Sequence, residues 1–171
     1  MPSLTGDEQR LVQAIGECQD GLLTLAGDLI KIPSENPPGD CTEVATWIHD
    51  YLRAQGIAST IHDAGDGRLN VISHRPGSGA NGRHLVLSGH HDVVPVGDVS
   101  GWTFPPFAGD VVDGFLRGRG ASDMKAGLGA ALFTYVLAHR LDLPLAGTLS
   151  FVSVSDEEMG GPRGADWVLD Q

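Results

Sequence analysis

His84-Leu85-Val86-Leu87-Ser88-Gly89-His90-His91-Asp92-Val93-Val94-Pro95 opens as a β-type run and closes on a glycine, two imidazoles and a carboxylate. A short apolar run of this kind reads as a strand, so the polar residues are delivered to its carboxyl end. The same order recurs at Thr148 to Val154, a near-continuous apolar strand pattern followed directly by Asp156-Glu157-Glu158-Met159-Gly160-Gly161. Between the two, Gly118-Arg119-Gly120-Ala121-Ser122-Asp123-Met124-Lys125 leads into a helical pattern of Met124, Leu128, Ala131, Leu132, Tyr135 and Val136. Polar motifs directly after strands predict an α/β sandwich whose site lies outside the carboxyl ends of the strands.

Towards the N-terminus the apolar residues fall at helical spacing. Leu11, Ile15, Cys18, Leu22, Leu25 or Ala26, and Leu29 mark one helical stretch, with Gly21 as its weak point and Pro33 as its end. Beyond Ser34-Glu35-Asn36-Pro37-Pro38-Gly39, Asp40 or Thr42 caps a second helix that buries Val44, Ile48, Tyr51 and Leu52 and stops at Gly56. Further strands are expected at Ile57 to Ile61 and Leu69 to Ser73. The Pro76-Gly77-Ser78-Gly79-Ala80-Asn81-Gly82 tract has the composition of an exposed hairpin loop before His84. Asp113-Gly114, between Val111-Val112 and Phe115-Leu116, signals a tight hairpin, because both residues tolerate the positive φ that matches strand twist. No internal repeat or low-complexity tract interrupts the pattern.

The chain has 171 residues, 41% of them hydrophobic, enough for one domain with its own core. A formal net charge of -11 and a pI near 4.8 repel phosphate backbones and anionic membranes, so nucleic acid and membrane are not expected partners. No run approaches the ~18 apolar residues of a membrane span, and Met1 to Glu8 lack the basic start and apolar stretch of a secretory signal. The expected location is cytoplasmic. Cys18 and Cys41 follow no metal-binding spacing and are read as core thiols.

One imidazole, several carboxylates and glycine-bordered turns are the inventory of a two-metal hydrolytic site. Asp92, two residues beyond His90, can accept the ring N–H that a metal does not use, which fixes the tautomer. Strand alternation points His91 to the other face, as a structural residue. His49, His62, His74, His84 and His139 lack such company and are read as surface or satisfied core residues. Acidic runs are usually solvated surface, but Asp156-Glu157-Glu158 is delivered by an apolar strand with a flexible turn behind it. Two adjacent glutamates can then divide labour, one binding a metal and its neighbour taking a proton from the activated water. Gly118-Arg119-Gly120 lacks the third glycine of a dinucleotide loop, which argues against NAD.

Taken in order, Ser34 to Asp40, Gly89 to Pro95, Trp102 with Pro106-Phe107, Gly118 to Lys125 and Asp156 to Gly161 resemble the co-catalytic zinc peptidases that include acetylornithine deacetylase, succinyl-diaminopimelate desuccinylase, aminoacylase and glutamate carboxypeptidase. The resemblance implies an α/β/α sandwich with a mixed sheet flanked by helices. It makes His90 a ligand of one metal, Asp92 the carboxylate behind it, Asp123 the bridge between two metals, Glu158 a ligand of the other, and Glu157 the general base and acid. It also implies two divalent metals, zinc first and cobalt as the alternative, and a cis peptide at Asp123-Met124. The implied reaction is hydrolysis of an N-acyl amino acid or a terminal peptide bond, in a full-length form that is a homodimer. A further acidic ligand and a late histidine ligand of that family have no counterpart here. Residues 1–171 are therefore expected to be the N-terminal portion of an incomplete catalytic domain, without the dimerisation domain and the C-terminal catalytic part. The alternative is a truncated, non-catalytic remnant or weak metal-binding module of the same fold.

Overall fold

The computed structural model describes residues 4–79 and 82–171. Helices α1 (Gly6–Glu17), α2 (Gln19–Lys31) and α3 (Thr42–Ala54) are followed by strands β1 (Thr60–Asp63), β2 (Leu69–Arg75) and β3 (His84–His90). Then come β4 (Asp110–Val112), β5 (Phe115–Arg117), helix α4 (Lys125–Arg140), β6 (Thr148–Val154) and the short α5 (Ala165–Leu169). Among the described residues no helix is long and apolar enough to cross a membrane.

The expected single N-terminal helix is two helices, and the break falls at Cys18 rather than Gly21. Thr5 and Glu8 close a capping box at the start of α1, with Thr5 N donating to Glu8 Oε2 at 2.7 Å. Cys18, at ψ 19°, ends that helix. α1 buries no residue, whereas α2 buries Leu25, Ala26, Leu29 and Ile30, so the chain turns where the demand for burial changes. Gly21 stays helical and lies against Phe133, where an added Cβ would make an ordinary contact at 3.5 Å from the ring. α3 follows its expected stripe, with Val44, Ile48 and Leu52 fully buried and Tyr51 half-buried. Asp40 Oδ1 accepts from Thr42 N at 3.0 Å at its start. Gly56, at φ 74°, ends it with Gly56 N donating to Arg53 O and Ile57 N to Leu52 O, the paired bonds of a glycine-terminated helix. Ile57 is consumed in that terminus, and β1 begins three residues later than expected.

The main sheet has the order β1-β2-β6-β3. β6 pairs antiparallel with β2 and parallel with β3. Pro76 to Gly82 is therefore not a hairpin loop, because β6 inserts between the two strands it follows and precedes. Ala80 and Asn81 of that tract, like Met1 to Ser3, lie outside the described residues. Ser78 N donates to Leu145 O and Gly79 N to Ala146 O, and a Cβ on Gly77 would sit 2.3 Å from Gly147 O. The glycines serve close backbone approach to the segment entering β6. β4 and β5 form a separate hairpin turned by Asp113 at φ 51° and Gly114 at φ 81°, as Asp-Gly predicts.

α2, α3 and α4 pack on one face of the sheet around Leu29, Val44, Ile48, Val71, Leu128, Leu132, Tyr135 and Phe151. Each such side chain contributes roughly 1.5–3 kcal/mol when removed from water. Ile72, Val86, Val152 and Val154 alternate to the other face, where they line a cavity of about 570 Å³ together with Val168 and Leu169 of α5. The sheet is mixed and flanked by helices, as expected. The parallel pairing of β3 with β6 places the carboxyl ends of both strands at one edge.

Candidate metal centre

His90 closes β3 opposite Val154 at the end of β6, so the loops after both strands emerge side by side. Beyond β3 the chain continues extended to Val93, which pairs in parallel with Glu35. Beyond β6, Asp156 enters the left-handed region at φ 66°, which Asp adopts more readily than most residues. Its carbonyl accepts from Met159 N at 3.3 Å and Gly161 N at 2.8 Å, closing a tight turn that carries Glu157 and Glu158. Asp123 arrives on a third segment, just before α4. Gly120 makes that approach possible: its φ is 83°, and a Cβ there would lie 2.6 Å from Val93 Cγ1. The Asp123-Met124 peptide is cis, the isomer that the resemblance implies.

The three segments bring together all five residues singled out in the sequence. One nitrogen of His90 and one oxygen each of Asp123 and Glu158 lie within 4.8 Å of one another. His90 Nε2 is 2.9 Å from Asp123 Oδ1 and 3.6 Å from Glu157 Oε2. His90 is buried, whereas the side chains of Asp123 and Glu157 are 74% and 54% exposed; the site is a buried imidazole facing carboxylates open to solvent. Glu158 Oε1 accepts from Val94 N at 3.2 Å. The far ring nitrogen, His90 Nδ1, is 3.0 Å from the main-chain carbonyl of Asp92 and 3.4 Å from its carboxylate. Asp92 thus holds the ring through both groups, with the carbonyl nearer.

The Asp92 carboxylate does more than the sequence reading assigned to it. It accepts from Asn36 Nδ2 at 2.9 Å, Glu158 N at 3.1 Å and Glu157 N at 3.2 Å, so it also anchors the turn carrying both glutamates. Burial alone would raise the Asp92 carboxyl, but the hydrogen bonds from His90, Asn36 and these two amides outweigh it and hold the group below the ordinary carboxylate value. Burial likewise disfavours a charged His90, yet hydrogen bonds to Asp92 and Asp123 push it up to about 9. Burial pushes Glu158 up. His91, fully buried on the other side, bonds Ser153 Oγ at 2.7 Å, and burial takes it down to about 3, so it stays neutral.

Among the described residues, no lysine or arginine pairs with Asp123, Glu157 or Glu158; Asp123 and Glu157 have His90 as their one ion-pair partner. Three carboxylates around one imidazole form an uncompensated anionic set of nitrogen and oxygen donors, which fits a divalent cation. The other histidines stand apart from it. His49 bonds Ser59, His62 bonds Thr60, and His74 and His84 share the hydroxyl of Ser150. His139 stacks edge-on against Tyr135.

Sequence reasoning placed Asn36, Asp156 and Lys125 inside the motifs it quoted but gave none of them a role. Lys125 is fully buried, donates from Nζ to Leu29 O at 3.0 Å and Ile32 O at 2.5 Å, and is lowered by burial to about 8. It ties the end of α2 to the start of α4, immediately behind Asp123. Cys41 is buried, and desolvation pushes its thiol up to about 12; it and Cys18 are both free thiols.

The sequence model of peptidase family M20/M25/M40 matches residues 86–171, a stretch that contains His90, Asp92, Asp123, Glu157 and Glu158. N-formyl-4-amino-5-aminomethyl-2-methylpyrimidine deformylase of Halalkalibacterium halodurans is 34% identical over 154 residues, covering 89% of this chain and 36% of that protein. Succinyl-diaminopimelate desuccinylase of Rhodospirillum centenum is 35% identical over 155 residues, covering 86% and 38%. Human carnosine dipeptidase 1 shares the fold, with a TM-score of 0.77 at 24% identity over 93% of this chain and 36% of that one. The chain spans little more than a third of the length of these relatives.

Proposed function

Because this chain belongs to peptidase family M20/M25/M40, we propose that it serves a metal-dependent hydrolase that cleaves the amide bond of an N-acyl amino acid or a terminal peptide bond. The observation that carries the reading is the convergence of His90, Asp123 and Glu158 within 4.8 Å, with Glu157 Oε2 3.6 Å from His90 Nε2. Two divalent metals, zinc or cobalt, are proposed; His90, Asp123 and Glu158 are the residues that would hold them. When bound, they supply Lewis acidity that acidifies a water and polarises the scissile carbonyl. Glu157, exposed and within reach of the same pocket, takes the proton from the attacking water and returns it to the leaving amine. Asp92 keeps the His90 ring oriented, leaving Nε2 directed at Asp123.

The names of the two curated relatives, a deformylase and a desuccinylase, both describe removal of an acyl group from nitrogen, which favours N-acyl substrates over peptides. A cytoplasmic homodimer is the proposed setting, the dimer on the strength of the family resemblance. The test is a panel of N-formyl, N-acetyl and N-succinyl amino acids and dipeptides, offered to the protein expressed from its complete reading frame with zinc or cobalt added. Cleavage of an N-acyl substrate that chelation abolishes and metal restores is expected. Absence of amide hydrolysis in protein shown to hold metal would overturn the reading.

A further inference from the structure

Ser34-Glu35-Asn36-Pro37-Pro38-Gly39 was singled out in the sequence, and the reaction derived above leaves it without a role. Asn36 is 1% exposed. Its amide nitrogen donates to Asp92 Oδ2 at 2.9 Å and to Asp156 Oδ1 at 3.1 Å. A primary amide carries two N–H donors, and here each meets a different buried carboxylate. The orientation is settled by charge: with nitrogen and oxygen exchanged, a carbonyl would face two carboxylates. The amide oxygen is buried with no hydrogen-bond partner among the described residues. That is a cost an apolar side chain would not carry, so packing alone does not account for an asparagine at this place.

The two carboxylates joined by Asn36 belong to different parts of the centre. Asp92 lies behind His90 and accepts the amides of Glu157 and Glu158. Asp156 opens the turn that carries those glutamates, and its second oxygen accepts from Arg163 N at 3.3 Å. Arg68 Nε lies 3.7 Å from Asp156 Oδ1, the oxygen that also accepts from Asn36. The segment bearing Asn36 is itself fixed to the Asp92 segment, with Ser34 Oγ donating to His91 O at 2.5 Å and Asn36 N to Val93 O at 2.8 Å. A third stretch of chain, belonging to neither β3 nor β6, thus spans the gap between their two loops.

We propose that Asn36 is a positioning residue: by tying Asp92 to Asp156 it sets where Glu157 and Glu158 stand relative to His90, and so governs metal affinity and turnover. The proposal rests on the metal-dependent hydrolase reading above. It is tested on the protein expressed from its complete reading frame, as wild type, Asn36→Ala, Asn36→Asp and Asp156→Asn. Zinc affinity is read by calorimetry, coordination by the visible absorption of the cobalt-loaded protein, turnover on the N-acyl substrate that the wild type cleaves, and folding by thermal unfolding of the metal-free form. Asn36→Ala is expected to weaken zinc binding and to lower kcat by about 10- to 100-fold each, the range for groups that orient metal ligands. KM stays nearly unchanged, because Asn36 has no access to substrate, and the cobalt spectrum shifts. Asn36→Asp is expected to lose more, since a third carboxylate would face the other two.

A wild type that binds no metal and hydrolyses nothing overturns the functional reading itself. A wild type that does both, beside a folded Asn36→Ala with unchanged zinc affinity, cobalt spectrum and kcat, overturns the positioning role alone; so does a loss confined to KM. If the Asn36 variants do not fold, the isosteric Asp156→Asn carries the test. An altered cobalt spectrum with reduced kcat supports the proposal, and an unaltered pair of readings refutes it.

Discussion

Replacing Asp92 by Asn removes a charge without changing shape, and the structure lets its effect on folding be worked out before any metal is added. Oδ2 accepts from Asn36 Nδ2 at 2.9 Å and Glu158 N at 3.1 Å, while Oδ1 accepts from Glu157 N at 3.2 Å and lies 3.4 Å from His90 Nδ1. An amide group has one oxygen, so whichever way it turns, its NH2 faces two of these donors and two hydrogen bonds are lost. At about 1.5–3 kcal/mol for a hydrogen bond to a charged group, the loss is about 3–6 kcal/mol, a large share of the ~5–15 kcal/mol by which a domain is stable. The assay is equilibrium urea unfolding of the metal-free wild type and Asp92→Asn, with the two slopes compared to show that the unfolded states match. The gap should depend on pH. Asp92 is held below the ordinary carboxyl value of 3.8, so its stabilisation is present above that pH and is lost as pH falls through the lower folded value. His90 is raised from 6.5 to about 9, so its share is complete below 6.5 and disappears as pH rises through about 9. The difference between the two proteins is therefore widest near pH 5–6. A difference under about 1 kcal/mol there, or one independent of pH, would refute the assignment of these four contacts to Asp92.

Glu157→Gln should retain its metal while kcat falls by about 10²- to 10⁴-fold, whereas Glu158→Gln should lose metal affinity and recover part of its activity in excess zinc; equal metal loss in both, measured by elemental analysis, would sink the division of labour. Lys125 is lowered from 10.5 to about 8, so the unfolded chain holds more protons between those values and its contribution to stability rises with pH across that window. In urea titrations the stability of the wild type relative to Lys125→Met should rise between pH 8 and 10, a comparison in which the His90 loss common to both cancels, and parallel curves would contradict it. Gly16→Ala, in α1 with no atom near the added Cβ, should stabilise by roughly 0.4–1 kcal/mol. Gly27→Ala should destabilise despite the same helix propensity, because its Cβ would meet Gly109 O at 2.3 Å; melting temperatures moving in the same direction would show that the α2 contact is misplaced.

Much of this molecule is legible one segment at a time. The α3 stripe of Val44, Ile48 and Leu52, the Asp113-Gly114 turn and the apolar run of β6 are short-range patterns, written by the 3.6-residue and two-residue periods of helix and strand. His90, Asp123, Glu157 and Glu158 were visible for a related reason: each sits directly beside a strand or helix end, and reactive residue types at such ends stand out in a linear reading.

Neighbouring segments in the chain do not dictate which strands become partners, and there the local signals misled. Pro76 to Gly82 has a hairpin's composition, yet β6 lies between β2 and β3 because its apolar side chains on both faces require a central place in the sheet. Cys18 rather than Gly21 breaks the first helical stretch, since burial of α2 against α4 outweighs the weak propensity of a single glycine. The sequence by itself determined most of the elements and put the candidate ligands at their ends. Only the tertiary structure decided that Asn36 reaches Asp92 and Asp156 across 56 and 120 positions of chain, and that Lys125 caps α2 from beneath Asp123. Buried polar side chains are placed by the need to find partners after the backbone has packed, and that need leaves no periodic trace along the chain.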